Sequence, residues 1–369
     1  MGDYLDASSE NDFDEWKINC PVLYDTIITQ NMNMEISKCC MLNGLSDTSQ
    51  GWRKQEVCLG TCAEDQNFII FADIITPGVT SSGKEGPFKK GFECIAVREK
   101  IEHEGKVLRL EIKGKLLASL SSEKKIECMD LSKNKSFNLI GELSGISGSI
   151  SWANDDESLA ACDETGKIYI WKVAEARTTL QTAILSNIFC DIGFQAQSSS
   201  LLGVVTLDSK LLFFDTRQSI NHPHENKSLG KGQTTKLSFS PFIDYLCLTS
   251  GEDPVIKLWD LRNIKESLHE FGVHELGITA IEWSPTHEDI FASGSLDTHV
   301  AVWNCSHIGD DIEEEAETGP SELTFKHSGH QKPVIDLSWS KDSSHTLFTI
   351  DSGNLAHFWK IDHSVLEEG

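Results

Sequence analysis

Runs of apolar and β-branched residues recur along this chain. Seven of them close on an aromatic residue or Met followed by a small or charged residue: Phe71-Ala72, Met129-Asp130, Trp171-Lys172, Phe214-Asp215, Trp259-Asp260, Trp303-Asn304 and Trp359-Lys360. Four successive steps between the closing positions are nearly equal: 42 from 129 to 171, 43 from 171 to 214, 45 from 214 to 259 and 44 from 259 to 303. A unit of that length cannot bury its own hydrophobic faces, so neighbouring units must stack to share a core. The pattern fixes an architecture before any site is considered, and it points toward binding rather than catalysis.

A repeat of this period closing on Trp-Asp is the signature of WD40 blades. The expected fold is therefore all-β, a seven-bladed WD40 propeller over residues 35–363. Blade six is the clearest repeat, with Ile281-Glu282-Trp283, Ile290 to Ser293 and Val300 to Trp303 as successive strands. There His274, Ser293, Asp297 and Trp303 stand in the order of the hydrogen-bonded tetrad that pins such blades. A His–carboxylate pair also suits acid–base catalysis, but its place in a repeat frame favours packing. Blade seven keeps Gly329-His330 and Trp359, while blade five keeps Asp253 and Trp259 without a His at its start. Blades one to four are degenerate, with Phe71, Met129 and Phe214 in place of the closing Trp.

Ahead of the repeats, residues 1–10 read as a disordered acidic segment. Residues 11–31 read as an amphipathic helix built on Phe13, Trp16, Val22, Leu23 and Ile27, with Pro21 interrupting or bending it. Residues 364–369 form a tail. Two steps exceed the repeat: 58 from 71 to 129, and 56 from 303 to 359. The first excess is a Gly-, Ser- and Lys-rich stretch at 77–90, expected to be a flexible loop. The second is an acidic loop at 308–322, where Asp310 to Glu317 holds six acids in eight positions. Such a run cannot be core. It is either a solvated loop or a docking site for a basic helix.

The 32 Lys and Arg against 57 Asp and Glu give a net charge of −25, which repels nucleic acid and anionic membrane and attracts basic proteins. The acidic N-terminus is the wrong charge for a signal peptide, and no apolar run reaches spanning length. The eleven scattered cysteines suit a reducing compartment. Cys58 and Cys62 have no second ligand pair of suitable spacing, so no metal and no cofactor are expected. Neither a Gly-x-Ser-x-Gly elbow, a P-loop nor a dinucleotide turn is present, and the chain is read as a non-enzyme of the nucleus and cytoplasm.

The stretch from Glu15 to Asp25, the segment from Gly319 to His330 and the run Leu258-Trp259-Asp260-Leu261-Arg262-Asn263 together resemble one WD40 family. It is the family of histone-binding proteins first known as retinoblastoma-binding subunits, which serve in chromatin assembly factor 1, type B histone acetyltransferase, deacetylase and Polycomb complexes. The resemblance implies a clasp at the propeller rim for the first helix of histone H4, with H3 as its dimer partner, and no direct contact with nucleic acid or membrane. By matching position its apolar floor is Val22, Leu23, Phe325 and Val365, and its acidic contacts are Glu315 and Glu317, the latter covering for Thr318. Val22 and Leu23 fit either that groove or the packing of helix on propeller. The family also reads the H3 tail with acidic residues at the blade starts. Here the matching positions are Lys106, Ile146, Cys190, Gln233 and Gly277, with Asn33-Met34 beyond the helix, so H3-tail binding is expected to be weak or absent.

Two other functions fit the sequence. Phe214-Asp215-Thr216-Arg217 and Trp259-Asp260-Leu261-Arg262 look like the paired boxes that dock substrate receptors on the adaptor of a cullin-4 ubiquitin ligase, through Asp215, Arg217, Asp260 and Arg262. Those boxes also occur in ordinary blades, where Asp and Arg brace a turn. A generic assembly scaffold for basic partners is the third reading.

Overall fold

The repeated apolar runs become seven antiparallel sheets, six of four strands and one with a fifth short strand added, the blades of a seven-bladed β-propeller. A computed structural model describes residues 7–47, 52–77, 94–132, 138–145, 148–155, 158–173, 177–181, 187–198, 200–218, 223, 225–229, 233–310 and 319–367. The seven closing residues all lie on the third strand of a blade, and each is at most 3% exposed. Each faces an apolar residue on the second strand: Phe71 pairs with Cys58, Met129 with Leu117, Trp171 with Leu159, Phe214 with Leu202, Trp259 with Cys247, Trp303 with Phe291 and Trp359 with Leu347. A β-branched, aromatic run buried on both faces is what a sheet stacked between two others requires.

The chain divides into two compact units. The second, Glu104–Trp283, contains blades two to five and the strand Ile278–Trp283. Its core is laid down in layers between blades: Ile126 and Leu159 share one layer, Ile170 and Phe214 another, Val205 and Trp259 a third. Tetrad-like bonds pin its third strands where the residues allow, as when the Trp259 indole N–H donates to Thr249 Oγ1 at 2.8 Å.

The first unit, Met1–His103 with Ser284–Gly369, contains blade one, the last three strands of blade six and all of blade seven. Its core layer runs from Val57 and Ile70 in blade one to Phe348 and Phe358 in blade seven. Blade seven is completed by the start of the chain, since Tyr24–Asn31 pairs with Leu355–Ile361 from Tyr24↔Ile361 to Asn31↔Leu355. That strand corrects the sequence reading. The N-terminal helix, α1, spans Ala7–Leu23 rather than 11–31, and the propeller takes its first residue from Tyr24 rather than 35. The run Thr26-Ile27-Ile28-Thr29 consists of β-branched residues, which lose rotamer freedom in a helix and suit a paired strand. Pro21 stays inside the last turn of α1 and does not break it, because only two residues follow before the helix ends. Residues 7–10, expected to be disordered, are the first turn of the same helix, and the tail carries a short helix, His363–Glu367.

The loop at 77–90 falls outside the described residues from position 78, as does 311–318 of the acidic loop, including Glu315 and Glu317. The eleven cysteines are all free. Burial pushes the Cys128 thiol up to about 12, so it sits in the core as an inert hydrophobe.

Candidate functional site on the N-terminal helix

At about 100° per residue the apolar residues of α1 fall into two opposed stripes. Phe13, Trp16, Cys20 and Leu23, spaced three or four apart, are half-buried. Ile18 and Val22, four apart on the other side, are 78% and 68% exposed. Asp14 and Glu15 are also exposed and lie on the same turn as the start of this outer stripe. A helix apolar on two faces has one face too many for a single neighbour, and the outer one is open.

The inner face is held by Trp16. Its ring stacks on Phe13 at 5.5 Å and on His357 at 6.0 Å, and meets the edge of His327 at 5.7 Å. A Cβ on Gly329 would lie 2.6 Å from Trp16 Cζ2, so only glycine lets the helix approach this closely. Asp12 adds a polar anchor, 3.3 Å from both His299 Nε2 and Lys326 Nζ. Beyond the helix, the Asp362 N–H donates to the Leu23 carbonyl at 3.1 Å and Lys360 meets Asp25 at 2.6 Å, which tie the helix end to the last strand.

Two hydrogen-bond chains run side by side beneath the helix. In the first, the Trp359 N–H donates to Thr349 Oγ1 at 3.2 Å, the Thr349 hydroxyl donates to His330 Nε2 at 2.8 Å, and His330 Nδ1 ends on Asp351 Oδ2 at 3.2 Å. This is the complete tetrad of blade seven. In the second, the Trp16 N–H donates to the Tyr24 oxygen at 2.7 Å, the Tyr24 hydroxyl donates to His327 Nδ1 at 2.6 Å, and His327 Nε2 donates to His357 Nδ1 at 2.9 Å. The directions follow from the chemistry, because an indole N–H only donates and a phenol has one proton to give. The second chain ends on His357 Nε2, which is buried with no hydrogen-bond partner. Burial, and then the neighbouring imidazoles, hold His327 and His357 well below the usual value of 6.5, and burial pushes the Tyr24 phenol up.

The nitrogens of His327, His330 and His357 lie within 4.8 Å of one another, close enough for a metal ion. The rings do not converge on one point. His330 and His357 stack at 4.1 Å with 17° between planes, so their in-plane lone pairs run side by side, and every ring nitrogen but one already has a protein partner.

The other sequence-selected residues fall as follows. Val22 is open to solvent, Leu23 and Val365 are half-buried, and Phe325 is 5% exposed, its ring against Tyr24 at 5.3 Å and Trp359 at 5.7 Å. Phe325 thus lies beneath Tyr24 as support, not at the surface as a floor. In blade six the Trp303 N–H donates to Ser293 Oγ at 2.9 Å, Asp297 accepts the His299 N–H at 2.9 Å, and His274 is buried. Asp215 and Asp260 each bind their own Arg, Arg217 and Arg262, with Nε and Nη2 donating at 2.9 and 2.7 Å in both boxes. The Arg217 bond pulls the Asp215 carboxyl down to about 2, and Arg262 also lies 3.5 Å over the Tyr245 ring. Both boxes therefore brace their own turns. Ile18, Asp12, Tyr24 and the His327–His357 pair were not selected from the sequence. The i, i+4 pair Ile18–Val22 was there to be found; the two histidines, on strands of different blades, give no local signal.

Comparison with known proteins bears on this same helix. A family model for the histone-binding protein RBBP4, or its counterpart among the components of the CAF1 complex, matches residues 11–77, from within α1 through the second and third strands of blade one. A WD-domain, G-beta repeat model matches residues 265–304, which hold most of blade six. This chain carries the N-terminal element of the histone-binding family on a WD40 propeller. Along nearly its whole length it is similar to histone acetyltransferase type B subunit 2 of Candida glabrata, with 25% identity over 379 residues, 96% of this chain and 89% of that protein. The resemblance read from Glu15 to Asp25 thus stands.

Proposed function

We propose that the chain is a non-catalytic histone-binding scaffold of the nucleus that holds the first helix of histone H4, within an H3–H4 dimer, against the outer face of α1. Its partners are then the other subunits of acetyltransferase, deacetylase, chromatin-assembly or Polycomb complexes. The observation that carries this reading is the open Ile18–Val22 stripe with Asp14 and Glu15 beside it. A basic amphipathic helix needs an apolar strip for its hydrophobic face and carboxylates for its Lys and Arg, and this face offers both. The net charge of −25 steers such a ligand inward. The blade starts offer no such counter-charge to the H3 tail, and that tail binds weakly on this reading.

The test is a titration of a labelled peptide of the first H4 helix into the intact protein at physiological salt, beside Ile18→Asp and Val22→Asp. Both residues are exposed, so each variant keeps its stability within about 0.5 kcal/mol. Removing one buried aliphatic contact costs about 1.5–3 kcal/mol, so each variant binds roughly ten- to a hundredfold more weakly. Absence of binding by the intact protein, or binding indifferent to both substitutions, refutes the proposal.

A further inference from the structure

We propose that His327 and His357 form a proton-operated latch, holding α1 on the propeller while both rings are neutral and releasing it when either is charged. As a regulation of histone binding the latch rests on the function proposed above; as a device in the fold it does not. The argument starts from the order of protons in the second chain. With Trp16 and Tyr24 donating inward, His327 must carry its proton on Nε2, and His357, accepting at Nδ1, must carry its own on Nε2. Each ring then has a single lone pair left, on Nδ1, and each is already accepting a hydrogen bond.

An added proton has nowhere to go without breaking the chain. Placed on His357 Nδ1, it sets two N–H groups against each other across 2.9 Å. Relief requires the His327 proton to leave Nε2 and appear on Nδ1, where it points at the Tyr24 oxygen. That oxygen now faces donors from both His327 and Trp16, and the Tyr24 proton has lost its acceptor. A proton placed directly on His327 Nδ1 reaches the same end in one step. Either way the conflict arrives at Trp16, the residue that seats the helix.

The neighbouring tetrad shows what is missing. Its histidine, His330, ends on the carboxylate of Asp351, which would stabilise a positive ring. The helix-bound chain ends on His357 Nε2 with no acceptor. The groups that face the pair are Tyr24 and Trp16, the stacked rings of Trp359 and His330, and at longer range His299. Asp351 is engaged with His330, and Asp12 of α1 with His299 and Lys326, so neither carboxylate bonds to the pair. The burial that depresses both imidazoles acts in the same direction. The sign is therefore set: the latch is closed above the ordinary imidazole value of 6.5 and weakens as the pH falls below it.

The experiment is hydrogen–deuterium exchange of the α1 amides in the full chain without peptide, at about pH 7.5 and about pH 5.5, corrected for the intrinsic change in exchange rate, with Ile256–Asp260 as a remote reference strand. The expected result is a loss of α1 protection approaching tenfold per histidine for each pH unit below 6.5, with the reference strand unchanged. His357→Gln keeps an acceptor for the His327 N–H and cannot be charged, so it retains protection at the higher pH and has about half the slope. Protection that does not change with pH, protection lost together with that of the reference strand, or an unaltered slope in His357→Gln overturns the latch. If α1 loosens as expected but the H4 peptide binds at neither pH, the latch stands and the histone reading falls.

Discussion

Trp171 closes blade three from a position only 1% exposed, and its indole N–H has no hydrogen-bond partner. In blades five, six and seven the same N–H donates to a hydroxyl ten positions earlier: Trp259 to Thr249, Trp303 to Ser293 and Trp359 to Thr349. Ten positions before Trp171 stands Ala161, fully buried and paired with Tyr169 and Ile150. Ala161→Ser should therefore stabilise the protein. A buried unpaired donor costs about 1–3 kcal/mol, and the new hydroxyl must itself be desolvated, so the net gain is about 1 kcal/mol. For a unit the size of Glu104–Trp283, roughly 180 residues, the unfolding entropy is about 0.4 kcal/mol/K, which converts the gain to a rise in Tm of about 2–3 °C. Thermal melts followed by circular dichroism, with urea titration as a second measure, resolve a shift of that size. The decisive control is the cycle with Trp171→Phe, which has no N–H to satisfy. If serine stabilises equally in that background, or destabilises in the parent, the reasoning is wrong.

Gly141 and His345 carry two further predictions. A Cβ on Gly141 would lie 2.5 Å from Trp171 Nε1 against a rigid buried ring, so Gly141→Ala should cost about 1–3 kcal/mol in urea denaturation. Burial and the adjacent His287 ring at 4.3 Å depress His345 to about 4. It is neutral in the fold and charged in the unfolded chain between 6.5 and about 4, so stability falls as the pH drops through that window. His345→Gln should flatten that part of the stability–pH curve, and an unchanged curve would exclude His345 as a contributor.

The third strands were legible because their signal is local and repeated. An aromatic or Met after a β-branched run marks a buried strand wherever it occurs, and even the degenerate closers Phe71, Met129 and Phe214 fell in register. The boundary at Tyr24 was not legible in the same way. Phe13, Trp16, Val22 and Leu23 continue with Ile27 at a spacing a helix can also use, and only pairing with Leu355–Ile361, near the other end of the chain, decides for a strand. Phe325 was selected by matching position, which preserves a residue's place in the chain but not its depth. The Tyr24 ring packed against it turns a surface candidate into a support. His327 and His357 were invisible for the opposite reason, since each alone is an ordinary strand residue and the chemistry exists only where the two strands meet α1.

These elements also explain why the site depends on the blades beneath it. A helix of 17 residues is marginal alone in water, and α1 has no run of strong helix formers to offset its nucleation cost. Its order must come from the surface that receives Trp16 and Asp12. That surface belongs to blades six and seven, where Trp303 and Trp359 still find their hydroxyl partners. In blade four, by contrast, Phe214 has replaced Trp and the residue ten before it is Val204, both buried. Losing donor and acceptor together costs little, whereas losing one alone strands the other. Degeneration is therefore tolerable in blades that only have to stack. It is not tolerable beneath α1, where the tetrad of blade seven holds Trp359 flat against His327 at 4.7 Å and so fixes the ring on which Trp16 rests. Any affinity generated by Ile18 and Val22 is transmitted through that stack, and loosening it weakens binding without touching a residue of the outer face.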